Sequence, residues 1–368
     1  MQRLIIALAL VLIMACTPRG SVTIDPQAAV VGTVVPVFIG TTRGRGEDGA
    51  FNGKRSEVLH FARLDVSVPP NREAGEIAWP PRSRKPDPSR DFLTTDSVVY
   101  PATTGFQADL KRQIAAKGGE AVIFIHGYNT NHSEAAYRIA QFQHDLNLPA
   151  AVVLYSWPSA AEPLGYAYDR DSALFARNGL ETLIQTVARS GARRIVLIAH
   201  SMGAGPAMEA LRSAAIRGDR RTLSLVDGVI LISPDLDVDV FREQARSIGT
   251  LPEPFIIFGS DRDRFLRLSA ALTGQRERLG SLSDLSRVAD LKVTFFDVGE
   301  FARGAGHFVV GDSSALISIL DRISDVEWAF EYDRRRRIGL IPGVVLTVEN
   351  ATQVILRPIG VAASGSRQ

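Results

Sequence analysis

Six short, apolar, β-branched runs separated by helix-length segments predict an α/β fold with a mostly parallel central sheet and helices on both faces. The runs are Val122–Ile125, Ala151–Tyr155, Ile195–Ile198, Val229–Ile232, Phe255–Phe258 and Val293–Phe296. Between them lie Ser133–Leu146, Asp171–Ser190 and Asp239–Ser247, long enough for amphipathic helices. A strand buried on both faces reads as a continuous apolar run, and that is the pattern here. The second observation is positional. Four candidate functional segments follow four of these runs directly, and open α/β sheets place their sites at the carboxyl ends of strands. Ahead of the core, Val34–Ile39 and Phe61–Val68 read as antiparallel opening strands, and Pro69–Arg90, with its several prolines, as an irregular loop.

The third run leads into Ala199-His200-Ser201-Met202-Gly203, and a helical stretch from Gly205 follows. A serine on a sharp strand-to-helix turn, with small residues two positions to either side, is the nucleophile elbow of the α/β-hydrolase fold. The turn is strained, and a larger flanking side chain would strike neighbouring backbone. Ala199 stands where glycine is more usual. The same residues also fit a serine that N-caps an ordinary helix, so the rest of the chain must decide.

Of the six histidines, only His307 lies beyond Ser201. In this fold the acid and then the histidine follow the nucleophile along the chain, which makes His307 the base. It sits in a glycine-containing loop after Lys292–Val298, able to carry an imidazole over the sheet edge. Asp263, just after Phe255–Phe258, is the favoured acid, and Asp261 is its near alternative. Asp235 and Asp237, after Val229–Ile232, offer an earlier placement, although Ser233-Pro-Asp-Leu-Asp237 also reads as turn and N-cap chemistry. The acid would fix the histidine tautomer and stabilise the imidazolium. The amides of Tyr128 and Met202 are the expected oxyanion donors. Gly127 lets the loop after Val122–Ile125 aim its amide, and His126 is expected to brace that loop. His200 is assigned to packing.

His126-Gly-Tyr-Asn129, Tyr155-Ser-Trp-Pro158, Ala199-His-Ser-Met-Gly203, Ser233-Pro-Asp235, Ser260-Asp-Arg-Asp263 and Gly306-His307 together resemble a poorly characterised family of bacterial α/β-hydrolases, often exported. The resemblance spans roughly Val35 to Ile319. It implies an esterase- or lipase-like serine hydrolase whose triad maps onto Ser201, Asp263 and His307. The charge of Asp261 and Arg262 beside the acid departs from the pattern and leaves the choice of acid open.

Arg3, the apolar run Leu4–Ala15 and Cys16 form a secretory signal of lipoprotein type, too short to span a bilayer. The expected organisation is a signal peptide at 1–15, a lipidated Cys16, and a tether over 16–33. A hydrolase domain over 34–325 follows, with opening strands and loop at 34–110 and a catalytic core at 119–325. The extension 326–368 ends the chain. Cys16 is the only cysteine, and in an exported chain it fits attachment rather than a disulfide. The expected place is the bacterial envelope, lipid-anchored, with simple secretion as the alternative.

Hydrophobic content of 45% and charged content of 22% are ordinary for a globular body. A net charge of +2 argues against nucleic acid. The run Arg334–Arg337 is read as a solvated face. No cysteine–histidine spacing suits a metal, and no phosphate-cradling loop is present, so no cofactor is expected. The segment Asp237–Pro254 leaves room for one helix and no large cap domain. Pro163, Tyr166 and Tyr168 are placed near the mouth. The expected reaction is hydrolysis of a small-molecule or lipid ester through an acyl-enzyme. Acyl transfer and amide hydrolysis would use the same parts, and a non-catalytic lipoprotein keeping the fold as a binding platform is the rival of another class.

Overall fold

The structure is a computed structural model that describes residues 19–81, 83–274, 277–301, 307, 309–314, 316–317 and 343–356. The signal segment 1–15, Cys16, Gly306 and Arg334–Arg337 lie outside the described residues. Eleven strands are described: β1 (Thr33–Arg45), β2 (Phe51–Val68), β3 (Leu93–Tyr100), β4 (Glu120–Ile125), β5 (Ala151–Ser156), β6 (Arg194–His200), β7 (Val226–Ile232), β8 (Phe255–Gly259), β9 (Thr294–Asp297), β10 (Gly343–Val348) and β11 (Ala351–Leu356). They form one sheet in the order β10-β11-β9-β8-β7-β6-β4-β5-β1-β2-β3. From β11 to β1 all neighbours are parallel. β2 and β3 extend one edge antiparallel, and β10 the other.

The continuous apolar runs exist because both faces of the sheet are covered. Alternate residues of β4 enter two separate cores: Ala121, Ile123 and Ile125 one of them, Val122 and Phe124 the other. On the first face lie α1 (Thr103–Ala116), α3 (Tyr166–Arg189), α4 (Ala204–Ile216) and α5 (Val238–Ile248). On the second lies α2 (His132–Asp145), whose start is fixed by a capping box between Asn131 and Glu134. α5 is the one helix between β7 and β8, so no large cap is inserted there. α6 (Arg264–Leu272) follows β8 and is N-capped by Asp263.

Three features differ from the sequence expectation. β3 arises without a clear apolar run, since it is an edge strand whose middle is Thr94-Thr-Asp-Ser97, and α1 buries only the stripe Phe106, Leu110 and Ile114. The expected tether 16–33 is packed from Arg19 onward: Ile24 bridges Thr94, Asp25 caps the turn Pro26–Val30, and Ala28 is buried. The expected extension 326–368 contributes β10 and β11, with Val354 opposite Phe296 of β9. An apolar β9 left as an open edge would template pairing with other chains, and β11 covers it.

Candidate active site

Ser201 directly follows β6, the central strand between β4 and β7, and adopts φ +52°. A left-handed conformation costs a non-glycine residue about 1–3 kcal/mol and persists only where its surroundings impose it. Here they do. The Asp235 amide donates to the Ser201 carbonyl at 3.1 Å. Gly203 lies so close to β4 that a Cβ there would stand 2.4 Å from the His126 carbonyl oxygen and 2.7 Å from that of Ile125. A Cβ on Gly127 would stand 2.9 Å from Ser201 Cβ and 2.6 Å from His200 Nδ1. Gly203→Ala is therefore expected to lower stability by about 1–3 kcal/mol through overpacking, and turnover with it. A urea midpoint and an esterase assay that both stay at the wild-type value would refute this account of the elbow.

The expected serine, acid and histidine meet. Ser201 Oγ donates to His307 Nε2 at 2.8 Å, and His307 Nδ1 donates to Asp263 Oδ2 at 2.8 Å. Asp263 is fully buried, and its other oxygen accepts the amides of Phe265 and Leu266 at 2.9 and 3.0 Å. One carboxylate thus caps α6 and orients the imidazole, which ties the histidine geometry to a rigid helix. The alternatives are engaged elsewhere. Asp261 is exposed. Asp237 caps α5 through the amides of Asp239 and Val240. Asp235 pairs with buried Arg278 at 3.0 Å and accepts from Ser269 and Tyr166 hydroxyls at 2.5 and 2.9 Å. Phe265, which the sequence reading missed, packs its ring 4.4 Å from that of His307 and 5.3 Å from that of Tyr128.

The loop after β4 is held by a buried arginine that the sequence reading also missed. Arg43 is 1% exposed. Its guanidinium donates to the carbonyls of Thr130 at 2.8 Å and Ser159 at 3.0 Å, and to Ser156 Oγ at 2.8 Å. Burial pulls its pKa down to about 10, against the opposing field of Asp169. Asp169 is itself buried and accepts from the Asn129 amide at 3.0 Å, the Ser159 hydroxyl at 2.6 Å and the Ala160 amide at 2.7 Å. The visible signal is Arg43, one of two arginines that close the strand after the apolar run Val34–Ile39. His126 stacks on Trp157 at 4.7 Å, its Nδ1 donating to the Gly127 carbonyl at 2.8 Å. The Trp157 indole donates back to the His126 carbonyl at 2.7 Å.

His126, His132 and His200 share one electrostatic condition: burial, reinforced by a nearby cation or imidazole, depresses each below the ordinary histidine value, His132 to about 3. In the unfolded chain they would take up protons near pH 6.5. Below that pH the unfolded state binds more protons than the folded one, so stability is lost as pH falls. Each group accounts for up to about 1.4 kcal/mol per pH unit once the unfolded state is protonated. Urea unfolding should show a midpoint that is flat above pH 7 and falls steadily from pH 6.5 towards 4. A midpoint independent of pH over that range would mean these histidines are charged when folded.

Tyr128 donates to the Pro163 carbonyl at 2.6 Å and packs edge-on against Tyr166 at 5.5 Å, which puts Pro163 and Tyr166 beside the site as expected. Tyr168 turns away, donating to the Gly53 carbonyl and lying under Arg55. A cavity of about 760 Å³ opens on the α2 side, lined by Trp79, Phe124, His126, Gly127, Arg138 and His200 among others. Among the described residues no group of three or more His, Cys, Asp or Glu could hold a metal ion, and no helix is long and apolar enough to cross a membrane.

No curated protein matches the chain. Among solved structures, lipase B of Aspergillus fumigatus is 16% identical with a TM-score of 0.35, covering 54% of this chain and 51% of the lipase. The chain thus spans about half the length of that lipase. Esterase 2 of Thermogutta terrifontis, phosphoramylated by tabun, is 13% identical with a TM-score of 0.31, over 78% of this chain and 95% of the esterase. A Pyrococcus furiosus esterase is 11% identical with a TM-score of 0.37, over 86% of this chain and 98% of the esterase. Residues 102–306, more than half of the chain and the part that carries the elbow, the loop after β4 and the Asp263 turn, match the family described as alpha/beta hydrolase of unknown function (DUF900), and the chain belongs to that family.

Proposed function

We propose that the protein is a serine hydrolase of carboxylic esters, held by a lipidated Cys16 in the bacterial envelope. The observation that carries the reading is the continuous chain from Ser201 Oγ through His307 to buried Asp263, with both hydrogen bonds at 2.8 Å. His307 takes the serine proton as Oγ attacks the ester carbonyl, and the amides of Met202 and Tyr128 hold the oxyanion. The C–O bond to the alcohol breaks, and His307 returns the proton to the leaving oxygen. Water, deprotonated by the same imidazole, then attacks the acyl-enzyme, releasing the acid and restoring Ser201. Asp263 holds the Nδ1 proton of His307 in place throughout.

The cavity beside Gly127 and His200 has room for the acyl or alcohol part of a substrate. The anchor reading rests on the basic start, the apolar run Leu4–Ala15 and the cysteine that follows at once. Treatment with a fluorophosphonate should label the wild-type protein stoichiometrically, with the adduct on the Ser201 peptide. Failure of the wild type to label would favour the binding platform over the enzyme. Labelled fatty acid should enter the full-length chain and not Cys16→Ser, and an unacylated mature protein would make it a secreted enzyme.

A further inference from the structure

The helix α6 presents two unlike faces. Leu266, Ser269 and Ala270 are buried, and Phe265 packs on His307 and Tyr128 at the site. The opposite face carries Arg264, Arg267, Leu268, Ala271 and Leu272, all exposed, with Leu268 at 57% and Leu272 at 65%. Leu164 stands beside the same Tyr128, next to the carbonyl of Pro163 that accepts the tyrosine hydroxyl, and is 99% exposed. The exposed leucines are ill suited to water, and interleaved with two arginines they suit the interface of an anionic bilayer, where the leucines reach the acyl boundary and the guanidinium groups meet phosphate.

The N-terminal segment reaches the body at this same edge. Arg19 donates to the side-chain and main-chain oxygens of Asn129, both at 2.8 Å, and pairs with Glu134 at 2.5 Å. Gly20 is fixed through its amide to Glu134 at 3.1 Å and through its carbonyl, which accepts from Asn131 Nδ2 at 2.8 Å. Asn129 follows Tyr128 directly, so the described chain begins on the rim of the active site. Two residues lie between Cys16 and Arg19, and an extended chain advances at most about 3.6 Å per residue step, which keeps an anchor on Cys16 within about 11 Å of Arg19.

We infer that the mouth over Ser201 faces the membrane, with Leu164 and the exposed face of α6 seated in an anionic lipid surface, and that the substrate is an acyl ester drawn from that bilayer. The inference rests on the reading of Ser201 as an esterolytic nucleophile and of Cys16 as the anchor. Water and a lipid ester are the only reactants it requires, giving a free acid and the alcohol.

The test uses the full-length protein in vesicles of phosphatidylcholine and phosphatidylglycerol. Tryptophan placed by Leu164→Trp or Leu268→Trp should be quenched by brominated acyl chains beyond the quenching of the parent protein, whereas Ile216→Trp, at the far end of α4, should not. The double change Leu268→Asp and Leu272→Asp should cut turnover of a fluorogenic diacylglycerol in the vesicles at least tenfold while leaving a soluble aryl ester unaffected. Failure to bind vesicles, quenching that is equal at Ile216, or vesicle turnover unchanged by the double substitution would overturn the proposal. Tryptophan signals that follow protein concentration instead of lipid would assign the face to a second copy and overturn it as well. Loss of soluble-ester turnover and of fluorophosphonate labelling in the parent protein would instead strike the hydrolase reading, since the quenching pattern tests the surface independently.

Discussion

Ser201→Ala lowers kcat on a short-chain aryl ester by about 10⁶, the scale on which loss of a triad serine is felt. The size follows from the geometry. His307 is oriented by Asp263 to accept one proton, and that proton sits on Ser201 Oγ at 2.8 Å. With the hydroxyl gone, the imidazole has no oriented nucleophile, and only the oxyanion donors and substrate binding remain, a residue of about 10³–10⁴ over water in other triads. Alanine inherits the same φ of +52° and the same amide contact from Asp235, so the elbow is retained. The thermal midpoint should therefore move little while activity disappears. Steady-state kinetics and a melting curve on one preparation make the check, and a loss of less than about tenfold would mean another group attacks.

Asp263→Asn lowers kcat by about 10⁴ with the fold intact. The carboxylate has two tasks, and asparagine can perform one of them. Its amide oxygen still caps α6, because asparagine and aspartate are about equal as N-caps. It cannot, however, reproduce the charge that holds the Nδ1 proton of His307 in place, and an imidazole in the wrong tautomer presents N–H to the serine. Asp261→Asn and Asp237→Asn should each stay within a few fold of wild type, since Asp261 is exposed and Asp237 serves α5. Kinetics on the three variants decide the matter. A crippled Asp237→Asn would move the acid to the strand before β8.

The parallel core was legible because the strands that pass through it are buried on both faces and so carry apolar side chains at every position. β5 is buried along its whole length, and its run stands out in the sequence. The edges were not legible. β3 has one neighbour, which relaxes the demand for continuous apolar residues, and its run carries Thr94, Thr95, Asp96 and Ser97, which blurs the pattern. The same reason hid the packing of the segment after Arg19, whose hold on the body is a set of polar contacts to Asn129, Asn131 and Glu134 rather than a hydrophobic stripe.

At the site, the sequence narrowed the candidates to Ser201, His307 and a short set of acids, because a strained elbow and a fixed chain order leave few residues able to serve. Choosing among Asp235, Asp237, Asp261 and Asp263 needed the tertiary structure: all four follow strands, and only the fold decides which carboxylate points at His307 and which caps a helix or pairs with Arg278. The same holds for Arg43. It is 83 to 87 residues from the loop it secures, and a hydrogen bond between backbone carbonyls and a distant guanidinium leaves no periodicity in the sequence, only one charge where burial would forbid it unless the fold supplied the acceptors.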